Sequence, residues 1–219
     1  MTPAPIHKLI MKGRSAVRKA TNLVSGREGK PVAVKPGSVS GLRLHLGAGP
    51  INLQGWVNID AREATHIHLT ANNFDLVEFA DGTLAEIYMC HVLEHFSFEE
   101  SEQLLRNFHR KLKPGGTLRI SVPHFDHLIA IYKANSDNLE IVKRALMGGQ
   151  DYEYNFHKSI YNKTLLSSLM LSCGYASPQE WTTAEEFGAD LGDWSNKNFD
   201  TPAGSFPVSL NVKAFVPAV

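Results

Sequence analysis

The sequence has only two cysteines, Cys90 and Cys173, in 219 residues. That excludes a disulfide framework and a multi-cysteine metal site, and it suits a reducing, cytoplasmic setting. Cys173 sits in an apolar run and reads as core. Long apolar runs are missing too: no stretch approaches the roughly 20 residues that a membrane span needs. The first 40 residues lack the uninterrupted apolar segment and cleavage site of a secretory leader. Net charge is also absent, with 22 basic residues against 22 acidic ones. The balance is uneven along the chain. Residues 1–40 carry Lys8, Lys12, Arg14, Arg18, Lys19, Arg27, Lys30 and Lys35 against Glu28 alone, which leaves the remainder acidic. A mildly acidic body argues against a nucleic-acid partner, whose phosphates demand clustered Lys and Arg. The basic segment reads as a solvated extension. Contact with acidic lipid or a partner protein is the alternative, and its scarcity of acidic residues also fits a transit peptide.

What is present is the composition of an ordinary globule, 43% apolar and 20% charged, and the length of a single domain. Gly26–Gly41, rich in Gly, Pro, Ser and Lys, reads as a linker. The expected division is therefore an N-terminal extension and linker over 1–41 and one domain over 42–219. Within the domain, strand and helix signals alternate. Strands are expected at Leu42–Leu46, Trp56–Ile59, His66–Leu69, Ile87–Cys90 and Leu118–Val122. Ser97 and Glu100 form a capping box, so a helix should start at Phe98; its stripe is Leu104, Leu105, Phe108 and Leu112. Pro114-Gly115-Gly116 should end that helix and turn the chain. Two helices are expected over 126–147 and another from Asn162 to Gly174. Val208, Leu210, Val212, Ala214 and Val216 alternate as a closing strand. This pattern predicts an α/β, Rossmann-like fold: a mostly parallel sheet with helices on both faces and an antiparallel C-terminal strand.

Leu44-His45-Leu46-Gly47-Ala48-Gly49 is a strand running into a glycine turn, where positive φ and close approach of a ligand are possible. Asp60 ends the next strand, and a carboxylate there suits a pair of ribose hydroxyls. A dinucleotide fingerprint would add a third glycine, a helix and an acidic residue about 20 positions on. Here Pro50 and Ile51 follow, and Asp60 comes 11 residues after Gly49. No full helix fits between, so a pyrophosphate would lack a helix N-terminus. A nucleoside without phosphate loses nothing by that. The connection is also short for a parallel crossover, which leaves the local topology open.

The segments "LHLGAG", "NID", "FADGTLAEIYMCHVLEHF" and "RKLKPGGTLRISVPHFD", in this order over about residues 42–130, resemble class I S-adenosylmethionine (SAM)-dependent methyltransferases, most closely the small type-11-like group. The resemblance implies SAM as cofactor. It implies that Gly47 and Gly49 line the methionine part, with Leu46 and Ala48 in the same binding set. Asp60 would bind the ribose hydroxyls. Asn72 and Asn73 fall where the family often has an acidic residue touching the adenine amine. Cys90 and His91, at the end of the fourth strand, would sit beside the cofactor. His45 replaces an acidic residue common in relatives. "GGQDYEYNFHKSIYN" and "LLSSLMLSCGY" are similar to the acceptor-side segment of the same group.

Several histidines admit two readings. His91-Val92-Leu93-Glu94-His95 matches a zinc-protease pattern, but Ser97 caps the following helix and leaves 91–95 on a connector. No metal is expected there; Glu94 and His95 read as local hydrogen bonding at the start of the helix. His124 follows the fifth strand and His157 lies in the aromatic stretch Tyr152, Tyr154, Phe156, Tyr161. Either histidine can serve as general base toward a hydroxyl, the alternative being an ordinary structural histidine. The aromatics either wall the acceptor pocket or pack on the sheet. An Asp/Asn-Pro-Pro-aromatic motif for nucleic-acid amines is absent. The expected activity is methyl transfer from SAM to a hydroxyl, less readily an amine or carboxylate, of a small molecule or sugar. The alternatives are a non-catalytic methyltransferase-like module and a nucleotide-sugar or NAD-binding Rossmann enzyme.

Overall fold

The computed structural model describes residues 41–71 and 73–218. The expectations for the basic extension, for most of its linker and for Asn72 lie outside these residues. Strands β1 (Leu42–Leu46), β2 (Val57–Asp60), β3 (Leu69–Thr70), β4 (Leu84–Cys90) and β5 (Leu112–Pro123) pair in parallel, in the order β3-β2-β1-β4-β5. The sheet is completed by β9 (Ser209–Phe215), antiparallel to β5, and by β6 (Ala176–Glu180) at the edge; β7 (Asn198–Thr201) and β8 (Gly204–Pro207) form a separate hairpin. The helices are α1 (Phe98–Lys111), α2 (Phe125–Ala134), α3 (Leu139–Met147), α4 (Lys163–Ser172) and the short α5 (Thr183–Phe187).

One face of the sheet packs on amphipathic helices. Leu44, Leu46, Ile59, Ile87, Met89, Leu118, Ile120 and Val212 meet Leu105 and Phe108 of α1 and Leu166 and Met170 of α4 in one buried cluster. Period-two burial along the strands against period-3.6 burial along the helices is what brings these side chains together. The start of α1 is fixed by its capping box: Ser97 Oγ accepts from the Glu100 N–H at 3.2 Å and Glu100 Oε2 from the Ser97 N–H at 2.7 Å. Cys173 lies buried in the same core.

The other face is covered differently. β1 and β2 are parallel, with Leu44 opposite Val57 and Leu46 opposite Ile59, yet residues 47–56 between them contain no helix. That short crossover leaves the face without its usual cover. Residues from the far end of the chain fill the space: Trp181, Phe187 and Leu191 pack with Leu53, Trp56 and Tyr88. Two expectations need correction. Pro114-Gly115-Gly116 does not precede the fifth strand; it lies within β5, at the shift in register between Leu112 and Thr117, where Gly115 takes φ +72° and donates its N–H to Val216 O at 3.0 Å. The third strand begins at Leu69, later than expected, because the His68 backbone and ring are both turned to the backbone of Asn58.

Candidate active site

The ends of β1, β2 and β4 open into a cleft of about 800 Å³, large enough for a nucleoside together with a second small molecule. Its floor is the turn after β1. Gly47 has φ +64°, and a Cβ there would stand 2.2 Å from Val92 Cγ2, so only glycine keeps both the backbone and the space. Asp60, at the tip of β2, points into this turn. Its Oδ2 accepts the Gly49 N–H at 2.8 Å and its Oδ1 accepts the Arg62 N–H at 2.9 Å. His66 braces the same turn, its Nε2 lying 2.8 Å from Gly49 O. Ala61, Asn73, Phe74 and Val77 continue the wall on this side.

The rest of the lining comes from the connector after β4 and from residues 152–158. His91, His95, Tyr152, Tyr154, Phe156 and Lys158 line the cleft there. His91 leaves the strand with φ +52°, a conformation that costs a non-glycine residue energy and persists only where surroundings hold it. Here they do. Its N–H donates to Ser121 O at 2.8 Å, its Nε2 lies 2.7 Å from Ser209 Oγ, and its ring stacks on Trp194. Burial, then the neighbouring His157 and His95, pulls its pKa down to about 3. Leu93–His95 is a single 3₁₀ turn. Within it Glu94 is 1% exposed, and neither carboxylate oxygen has a hydrogen-bond partner. Burial raises its pKa to about 8. His91 Nδ1 is 3.6 Å and His157 Nε2 3.9 Å from Glu94 Oε1. His157 is lowered to about 4, chiefly by burial and then by His95, whose ring meets it edge-on at 4.8 Å.

Gly47, Gly49, Asp60, Asn73 and His91 thus come together on one cleft. Leu46, Ala48 and Cys90, expected at the cofactor, do not line it. Leu46 is in the core beneath and Ala48 is buried. Cys90 alternates with Met89 and packs against the Trp56 and Tyr88 cluster on the far face. His45 is on that far face too: buried, bonded to Asn58 Oδ1 at 3.1 Å and stacked on Tyr88. His124 also lies away from the cleft lining. It caps α2, its Nδ1 accepting the Asp126 N–H at 3.2 Å, and its ring stacks on His127. His157 lines a small neighbouring cavity with Glu94. The aromatic stretch divides: Tyr152, Tyr154 and Phe156 face the cleft, whereas Tyr161 is buried, its hydroxyl bonded to Ser159 and Ser101. The reading of Glu94 as a locally hydrogen-bonded residue is overturned by its two unpartnered oxygens. His66 as a brace for the glycine turn was not foreseen, because the residue stands 17 positions from Gly49 in the chain.

A parallel sheet that carries a glycine turn and an acidic residue at the tips of adjacent strands defines a Rossmann-like nucleoside-binding domain. The comparisons with known proteins then narrow the class. A family model described as a methyltransferase domain matches residues 52–120. A SAM-dependent methyltransferase of Archaeoglobus fulgidus has a similar fold, at 13% identity and TM-score 0.51, over 92% of each chain. A second such structure, from Methanosarcina mazei, is 16% identical at TM-score 0.48, over 82% of this chain and 94% of that one. A Rhizobium leguminosarum bv. trifolii protein named phosphopantetheine adenylyltransferase is 33% identical over 104 residues, 46% of this chain and 63% of that protein. The chain spans less than two thirds of that relative's length. Residues 52–120 are thus similar to a methyltransferase domain, and SAM is the cofactor that such a domain implies.

The residues present fit that cofactor. The floor is bare where a Cβ would block it. The Asp60 carboxylate keeps acceptor capacity beyond its two backbone donors, because each oxygen accepts one bond and has a further lone pair. Phe74 and Val77 give apolar surface beside it. Among the described residues, no helix is long and apolar enough to cross a membrane.

Proposed function

We propose that this protein moves a methyl group from SAM to a hydroxyl oxygen of a small molecule or sugar. The observation that carries the reading is that one cleft is lined both by Asp60 with the glycine turn and by His91 and His95. Asp60 and the backbone of Gly47 and Gly49 hold and orient the nucleoside. When bound, SAM supplies an electrophilic methyl group.

The protein's task is then to align an oxygen with it and keep water out, which can be worth about 7–11 kcal/mol in favourable cases. A hydroxyl acceptor must also lose its proton as the carbon–oxygen bond forms. Burial lowers the pKa of the nearby imidazoles, so they are neutral with a lone pair for the proton, though weaker bases than a free histidine. His95 faces the cleft, and His157 stands directly behind it. Tyr152, Tyr154 and Phe156 would cover the acceptor. Nucleotidyl transfer, the activity in the Rhizobium protein's name, wants a seat for phosphates, and the turn after β1 runs into no helix that could supply one.

The test is S-adenosylhomocysteine release from the full chain with SAM and a panel of alcohols, sugars, amines and carboxylates. Turnover is expected with an alcohol or sugar, and His95→Ala should cut kcat about 100-fold while S-adenosylhomocysteine still binds. Turnover on amines alone, or an undiminished rate in His95→Ala, would refute the reading.

A further inference from the structure

Three histidines and one carboxylate converge at the cleft wall and the small cavity beside it, more groups than one proton acceptor requires. We propose that Glu94, His95 and His157 form a binding site for a divalent transition-metal cation of the zinc class. Each offers one ligand atom, and these atoms lie within 4.8 Å of one another. The second observation is the state of Glu94. It is 1% exposed and both of its oxygens lack a hydrogen-bond partner, an arrangement that a folded protein avoids unless something else satisfies the group. A cation is what a buried carboxylate facing two neutral imidazoles is built to receive.

The outer partners agree. His95 Nδ1 lies 3.2 Å from the Phe156 carbonyl, and a ring nitrogen anchored on a carbonyl is how ligating imidazoles are oriented. His91 adds a fourth polar neighbour: its Nε2 is engaged by Ser209 and its Nδ1 is turned toward Glu94 Oε1 at 3.6 Å. Metal bonds of about 2.0–2.2 Å put adjacent ligand atoms about 3.4 Å apart. The 3.9 Å between His157 Nε2 and Glu94 Oε1 needs to close by about 0.5 Å, and the set as a whole, within 4.8 Å, by up to about 1.4 Å.

Two imidazoles and one carboxylate leave at least one coordination position open, the donor set of catalytic zinc and of some iron(II) centres. Glu94 and His157 line the small cavity while His95 lines the cleft, so the site lies at the boundary between them. Resting on the methyl-transfer reading, the open position belongs to the acceptor's oxygen, whose proton is easier to lose once it is metal-bound and passes to solvent water, the His95 and His157 lone pairs then being engaged by the metal.

The experiment is titration of the chelator-stripped full chain with Zn²⁺ by calorimetry and with Co²⁺ by visible absorption. One equivalent per chain is expected, with His157→Ala and Glu94→Gln each weakening binding at least tenfold. His124→Ala, which dismantles the His124–His127 stack, should leave it unchanged. S-adenosylhomocysteine binding in the same samples reports that each variant is folded. No stoichiometric binding by the wild type, or binding lost in His124→Ala and kept in the other two, would overturn the proposal. Metal binding without turnover on any hydroxyl would instead count against the methyl-acceptor reading and leave the site standing.

Discussion

Two buried carboxylates lie at neighbouring cavities, Asp60 on the cleft and Glu94 on the small cavity beside it, and their surroundings differ. Asp60 accepts two backbone N–H groups, from Gly49 and Arg62. Glu94, buried more deeply still, accepts none, and its neighbours are imidazoles that stand beyond hydrogen-bond reach. The first is wired to the chain it belongs to, so its position is set before any ligand arrives. The second has its backbone carbonyl held by the N–H groups of Lys158 and Ser159 while its carboxylate has no donor, so the carboxylate has the most to gain from an incoming cation or proton. On the proposed reading, the Asp60 side binds by shape and the histidine side acts on what is bound.

The largest effect that tests this contrast belongs to the floor of the cleft. Gly47→Ala combines an αL backbone with a clash against Val92, and should cost about 2–4 kcal/mol in urea unfolding along with S-adenosylhomocysteine binding. A cost below about 0.5 kcal/mol would mean that Val92 yields freely and the floor is not rigid.

Beneath the Asp60 wall, His45 gives a pH signature. Burial first, against its bond to Asn58, holds its pKa at about 4, below the ordinary 6.5. The folded state therefore takes up a proton less readily than the unfolded chain. Its stabilising share is full above pH 6.5 and is lost as pH falls toward 4, about 3 kcal/mol in all. His45→Gln should flatten the stability profile in that window; an unchanged slope would mean that other groups carry it.

Asp60→Ala should weaken S-adenosylhomocysteine by about 10–100-fold, while His95→Ala keeps it within about threefold. The reverse ranking would dissolve the distinction between the two sides. Smallest of all, Phe156→Ala should raise the acceptor's KM about fivefold, the equivalent of one lost aromatic contact, and leave cofactor affinity alone.

The Asp60 wall was legible in the sequence because its parts are local: a strand, a glycine turn, and an acidic residue 11 positions after Gly49. The sheet was legible for the same reason, since periodicity of 2 and 3.6 marks strands and helices one at a time. The histidine side was not. Glu94 meets His157 across 63 residues, and no periodicity in either segment announces that they touch. Leu46, Ala48 and Cys90, which the resemblance puts at the cofactor, do not line the cleft, and strand alternation sends Cys90 to the opposite face. The covering of the far face by Trp181 and Phe187 follows from a missing crossover helix, a consequence that appears only once β1 and β2 are known to be parallel.

The central claim is that the nucleoside sits at the tips of β1 and β2 with its sugar on Asp60. A crystal structure of the full chain with S-adenosylhomocysteine tests it most directly. The account predicts both ribose hydroxyls within hydrogen-bond distance of the Asp60 carboxylate and the homocysteine part over Gly47. A ligand bound elsewhere, or a carboxylate still engaged by Gly49 and Arg62 alone, would contradict it.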